Sequence, residues 1–329
     1  MNDETLARLV ADAVADVEPA DRLDEIRART AETTGSRRRL FITGGAVLAA
    51  AATVVAVALA TVALNQPSAD APPADDPTQA VEPTPTAATV AVPAYYVGDT
   101  GRGPRLFREF VNVEEGPNPV ASVLAALEST PGDPDYRTLW PAGSFAGGEV
   151  RRDIINVVIA DAALHDRPAS MTGAEAALAI EQVIFSVQGA VGDRLGVQFR
   201  LGDNPVNEVL GQPTSEPLAN AEPLDVLSLM SVTSPSEGAV VSGSFVAEGV
   251  NSGFEATMSW RLEDAAGEVV LEGNATAEGW MDRLYPWTTD PIDVSGLVPG
   301  TYRFVASNPD PSGGEGFPPD TDTRTIIVE

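Results

Sequence analysis

The chain has 329 residues, 43% hydrophobic and 6% aromatic, with a formal net charge of -28. That is enough length for two or three domains, and too much negative charge for a nucleic-acid partner, whose phosphates it repels. It has no Cys and all 20 basic residues are Arg, which excludes disulfides, thiol nucleophiles, Cys metal sites, the P-loop lysine, Schiff bases and Ser-x-x-Lys chemistry.

Residues 1–39 read as a cytoplasmic amphipathic tail. Leu6, Leu9, Val10, Ala13, Val14 and Val17 follow helical spacing, Pro19 ends that helix, and Asp21 caps a second one through Ile26. Such short helices do not bury their apolar faces alone. The tail binds a cytoplasmic partner, lies on the membrane, or stays loosely ordered. Residues 40–64, Leu40 to Leu64, carry no charge over 25 positions. At about 1.5 Å per residue the run exceeds the roughly 30 Å hydrocarbon core, so a single transmembrane helix is expected. Arg37, Arg38 and Arg39 precede it directly and no Arg follows until Arg102, which puts the N-terminus inside and the rest outside the cell membrane. The alternative is twin-arginine-type export, with cleavage near Ala58-Leu59-Ala60. Both readings make the larger part extracytoplasmic.

Residues 65–89 are a Pro/Ala/Asp/Thr-rich linker. From 90 to 211 the pattern is α+β. Val90 to Val97 reads as a strand broken or edged by Pro93, Gly98 to Gly101 as a turn, and Leu106 to Val111 as the returning strand. Asn118-Pro119 starts a helix whose core face is Val120, Val123, Leu124 and Leu127. Arg152 to Ile159 is a strand, and Thr172-x-x-Glu175 is a capping box before a second amphipathic helix. Val197 to Leu201 and Val206 to Leu210 flank Gly202-Asp203-Asn204-Pro205 as a closing hairpin.

Tyr95-Tyr96-Val97-Gly98-Asp99, Ala126 to Pro131, Leu139 to Ser144, and the run from Glu181-Gln182-Val183-Ile184-Phe185 through Gly196-Val197-Gln198-Phe199 resemble the GerMN domain of sporulation and spore-germination proteins. The resemblance covers about 120 residues in order. It implies self-association through this domain, or assembly with another membrane complex.

Residues 212–226 read as a second linker and 227–329 as strands. Phe254, Ala256, Met258, Trp260 and Leu262 alternate with polar residues, giving one buried and one wet face. Leu297-Val298-Pro299-Gly300-Thr301-Tyr302 resembles the tyrosine corner of an immunoglobulin-like sandwich. Val232 to Gly238, Gly253 to Ala256 and Pro299 to Tyr302 resemble the Gmad2 family, an immunoglobulin-like bacterial domain found beside GerMN. The expected fold is therefore an α+β GerMN-like domain plus an all-β immunoglobulin-like sandwich, preceded by a single transmembrane helix.

No catalytic, cofactor-binding or metal site emerges. His165 is the only histidine and falls in a polar loop. Asp310, Glu315, Asp320 and Asp322 crowd a late loop, either as calcium ligands or as a flexible acidic insertion. Trp280, Tyr285 and Trp287 form a glycan- or peptide-binding patch or pack into core and rim, whereas Trp260 and Tyr302 fall in the core pattern. The expected role is that of a non-enzymatic, membrane-anchored binding and assembly protein of the cell envelope, of spore-germination type, with protein partners and no cofactor. A transmembrane signalling protein, coupling an extracellular ligand to a cytoplasmic regulator through the N-terminal helices, is the alternative. A cell-wall hydrolase is the third reading.

Overall fold

Thr89–Thr100 (β1) and Gly103–Glu114 (β2) pair antiparallel along their whole lengths, from Thr89 opposite Glu114 to Thr100 opposite Gly103. Pro93 does not break this hairpin. The Tyr95 N–H points away from β2 and donates to Ser186 Oγ at 2.9 Å. Pro93, two residues earlier, lacks an N–H on that same side, so the ladder to β2 loses nothing. The structure is a computed structural model in which residues 88–310 and 316–329 are described. The expected tail 1–39, the span Leu40–Leu64, nearly all of the linker 65–89, and Glu315 lie outside the described residues.

Helix Pro119–Leu127 (α1) starts where Asn118 Oδ1 accepts the Ala121 N–H at 3.0 Å, with Pro119 in the first turn. Short strand Tyr136–Arg137 (β3) joins the far edge of β1. Phe145–Arg151 (β4) and Ile154–Ile159 (β5) form a second hairpin, with Arg152 and Asp153 at positive φ in its turn. The expected strand thus starts two residues late. Helix Gly173–Val191 (α2) then crosses to Gly196–Leu201 (β6), which runs parallel to β5. The Thr172–Glu175 capping box forms in both directions, and Gly192 at φ 76° ends the helix. Asn204–Pro205 (β7) completes a four-stranded sheet in the order β4-β5-β6-β7.

Among the described residues α2 alone is long and apolar enough to cross a bilayer. Here it is the core helix. Ala179, Val183 and Val187 are fully buried, and Trp140 donates its indole N–H to the Ala179 carbonyl at 2.9 Å. Each such large apolar side chain contributes roughly 1.5–3 kcal/mol on burial.

The expected hairpin after β6 closes only through β7. Val206, Val209 and Leu210 leave the sheet and enter the core, while Glu208–Val209 (β8) pairs with Gln212–Pro213 (β9) in a small turn. Residues 212–226 lie along this α+β unit. Thr214 is buried, and Leu218 and Val197 exchange two backbone hydrogen bonds of 2.8 Å. A single helical turn, Pro223–Val226 (α3), precedes the β region.

The C-terminal strands are Met230–Ser234 (β10), Ala239–Val241 (β11), Ser244–Phe245 (β12), Glu248–Asn251 (β13), Thr257–Glu263 (β14), Val269–Ala277 (β15), Tyr285–Thr288 (β16), Ile292–Asp293 (β17), Gly300–Ser307 (β18) and Thr321–Val328 (β19). Eight of them form one hydrogen-bonded sheet, β10-β13-β16-β15-β14-β18-β19-β11, and β12 pairs with β17. The sheet curls on itself, so Met230, Val232 and Trp287 share a core with Leu262, Phe304 and Ile326. Inward and outward residues alternate along β14 with Met258 and Leu262 buried, as the sequence period requires. The alternation does not reach Phe254. Glu255 and Ala256 sit at φ 56° and 57° in a tight turn, which leaves Phe254 outside. At the other end Tyr302 donates its hydroxyl to the Val298 carbonyl at 2.8 Å, the expected tyrosine-corner bond.

Candidate functional site

Two features stand out once these elements are placed: a buried ionic cluster joining the α+β region to the β region, and an apolar groove beside it.

In β19 the inward positions are Asp322, Arg324, Ile326 and Val328. The last two enter the core, and the first two meet Asp133, just before β3, and Tyr136, its first residue. Arg324, 3% exposed, binds Asp133 at 2.6 Å and Asp322 at 3.1 Å through Nη1. It also donates to the Tyr136 hydroxyl at 2.9 Å and, through Nη2, to the Val232 carbonyl at 2.7 Å. Tyr136 in turn donates to Asp322 at 2.6 Å, and the second Asp322 oxygen accepts the Val232 N–H at 2.6 Å. Glu109, on β2, accepts the backbone N–H groups of Gly132 and Asp133.

Burial works against the Arg324 charge, but Asp322, the Tyr136 oxygen and Asp133 outweigh it and hold the guanidinium protonated. Burial pushes Asp133 up to about 7 and raises Asp322 and Glu109 as well. Loss of solvent is the main reason these carboxyls hold protons more tightly than usual; Asp322 adds a smaller like-charge effect at Asp133 and Glu109, and Arg324 opposes it.

The groove, about 660 Å³, runs between the β1–β2 hairpin tip, the outer face of the first half of α2, and residues 221–226. Its floor is Pro104, Ala174, Ala177, Leu178 and Val226. Ala174, Ala177 or Leu178, and Glu181 recur at helical spacing, so one α2 face lines it. Arg102 and Arg105 stand on one wall. Arg102 is held by Asp320 at 3.3 Å and lies 5.4 Å from the Phe317 ring centroid. Arg105 donates to the Asp225 carbonyl at 2.5 Å.

Glu175 and Glu181 stand opposite. Hydrogen bonds from the Thr172 backbone and hydroxyl lower the Glu175 pKa. Glu181 has it raised by burial and accepts only the Ala221 N–H among the described hydrogen bonds, at 3.0 Å. The groove thus combines an apolar floor with two arginines on the hairpin side and two glutamates on the α2 side.

The candidate residues from the sequence fall elsewhere. His165 ends the 3-10 turn Ala162–His165, and its Nε2 is buried without a hydrogen-bond partner among the described residues. The acidic group Asp310, Asp320 and Asp322 does not converge. Asp320 faces Arg102 and Asp322 faces Arg324, and no group of three potential metal ligands occurs among the described residues. Of the three aromatics, Trp287 is buried, Tyr285 half-buried and Trp280 exposed. Neither the cluster nor the groove is apparent from sequence. The available signal was Asp322 and Arg324 occurring in phase with the buried Ile326 and Val328.

Residues 229–315 match the Gmad2 family, described as the immunoglobulin-like domain of bacterial spore germination. No curated protein matches the chain significantly. Solved structures that it resembles include CopC from Methylosinus trichosporium OB3b, at 20% identity over 30% of this chain and 93% of that one, with TM-score 0.22. The tandem GerMN domains of the sporulation protein GerM from Bacillus subtilis match at 14% identity over 63% and 62%, with TM-score 0.31. The endo-β-1,4-mannanase from Thermotoga petrophila matches at 12% over 50% and 37%, with TM-score 0.24. The chain spans less than two thirds of the last two. The residues that match Gmad2 follow the α+β unit in the chain.

Proposed function

We propose that the chain is a non-enzymatic binding and assembly protein of the bacterial cell envelope, acting in a sporulation- or germination-type process. It is anchored by Leu40–Leu64 with residues 88–329 outside the cell. The family match at 229–315 supports the process. The observation that carries the binding role is the groove. Arg102 is fixed by Asp320 and Arg105 by Asp225 before any ligand arrives, which lowers the ordering cost of recognition.

A photo-crosslinking residue in place of the exposed Ala177 tests it in intact cells. A discrete adduct is expected, and it should disappear when Arg105 is changed to Glu. Labelling that is diffuse and indifferent to Arg105 argues against a groove ligand. Protease added to intact cells should digest residues 88–329. Protection until lysis would reverse the orientation.

A further inference from the structure

A second surface lies on the β region. Phe254 and Trp280 come from different turns, yet their rings meet edge to face at 5.6 Å and 89°. They are 42% and 48% exposed, and the adjacent Met281 is 57% exposed. Glu255 at φ 56° and Met281 at φ 68° hold left-handed backbone that costs a non-glycine residue energy. The Trp280 turn is also pinned. Leu284 packs against Val97, Leu106, Leu178, Phe185 and Leu227, and Asp282 accepts the Tyr285 hydroxyl at 2.7 Å. A rigid apolar projection held in strained backbone is a feature of contact surfaces. Exposed Glu255, Glu278 and Asp282, against the one exposed Arg283, give its rim net negative charge.

The complement occurs on the same chain. Beyond residue 39 there are 13 Arg against 39 Asp plus Glu. Three of those arginines, Arg151, Arg152 and Arg200, nevertheless line one cavity of about 400 Å³ on the open face of the β4–β5–β6 sheet. Ile154 and Val158, in register with Arg151 and Arg200 respectively, line it with Asn156 and Gln198 between them. Glu149 pairs with Arg151, and Arg200 bonds the Asp203 carbonyl. Arg151 and Arg152 are both exposed, Arg152 in the turn itself. Guanidinium groups beside Ile154 and Val158 suit an indole by cation–π contact, and an acidic rim by charge.

We propose that Trp280 of one copy seats in the Arg151–Arg152–Arg200 cavity of a second copy, so that the chain self-associates head to tail. The contact is heterologous. Each copy offers one projection and one cavity, and the assembly is a closed ring or an open file. This names one partner for the assembly reading and uses faces separate from the α2 groove.

The absence of Cys makes the test unambiguous. Full-length chains carrying Met281→Cys or, in the exposed turn beside Arg152, Asp153→Cys, purified in mild detergent, are treated with a short bis-maleimide, alone and mixed. The mixture should give a covalent dimer containing one copy of each. Either variant alone should give none, and the doubly substituted chain should give a ladder. Adding Trp280→Ala to the Met281→Cys chain should lower dimer yield by about tenfold or more, as for a central interface tryptophan. Thermal unfolding of that chain checks that it remains folded. No dimer in the mixture overturns the proposal. So does Met281→Cys coupling to itself, which would mean that like surfaces meet. Either failure leaves the Ala177 adduct, and the binding reading, standing.

Discussion

Arg324 and Asp133 are 191 residues apart in sequence and form a 2.6 Å ion pair with both side chains almost wholly buried. The pair joins the last strand of the β region to the turn before β3, and so fixes one region's orientation to the other. Removing one member of such a pair leaves the other buried and uncompensated. Arg324→Met is therefore expected to cost about 3–5 kcal/mol. Urea unfolding reads this directly, and a loss below about 1 kcal/mol would show that the cluster does not hold the regions together.

Acidity should strengthen the fold. Asp133 is raised to about 7, and Glu109 and Asp322 shift the same way, so the folded chain retains protons that the unfolded chain has released. The folded state binds more protons, so stability falls as pH rises. The contribution is complete below the ordinary carboxyl range near 4 and is lost as pH rises through about 7. Melting points should be higher at pH 5 than at pH 8, and Asp133→Asn should narrow the difference. A melting point that climbs from pH 5 to pH 8 contradicts this.

Glu181 shows the same effect in isolation. Burial in the groove raises its pKa, and its described partner is the Ala221 N–H. Glu181→Gln keeps an acceptor for that bond and removes the desolvated charge. The variant should melt higher than the parent at pH 8 and nearly equally at pH 5. Destabilisation at pH 8 would mean that the carboxylate has a favourable partner.

Tyr302→Phe removes the hydroxyl that bonds the Val298 carbonyl at 2.8 Å and leaves the ring packed. A loss of about 1 kcal/mol is expected, the usual net value of one such bond. Equal stability by chemical denaturation would make the corner bond incidental.

The local signals were legible because their physics is local. Asn118-Pro119, Thr172 with Glu175, and Pro299-Gly300-Thr301-Tyr302 each specify a cap or corner within a few residues. Pro93 misled because which side of a strand its missing N–H faces depends on a neighbour, and Ser186 lies 91 residues from Tyr95. Phe254 followed the alternation but was turned out by a left-handed Glu255, for which the sequence carries no marker. The partners of Arg324 come from the other region, so the inward charges of β19 were readable only as an anomaly. The groove and the Arg151–Arg152–Arg200 cavity are likewise made by pairing in space.

The β1–β2 hairpin has a mechanical consequence. Its open end lies where the Glu115 N–H meets the Ala88 carbonyl at 2.8 Å, and twelve residue pairs separate that end from the tip bearing Arg102. Tension entering at Ala88 and leaving through Glu115 loads the ladder one rung at a time. Pulling on the chain at Ala88 peels the hairpin from its base, and the groove at the far end keeps its shape until the last rungs part.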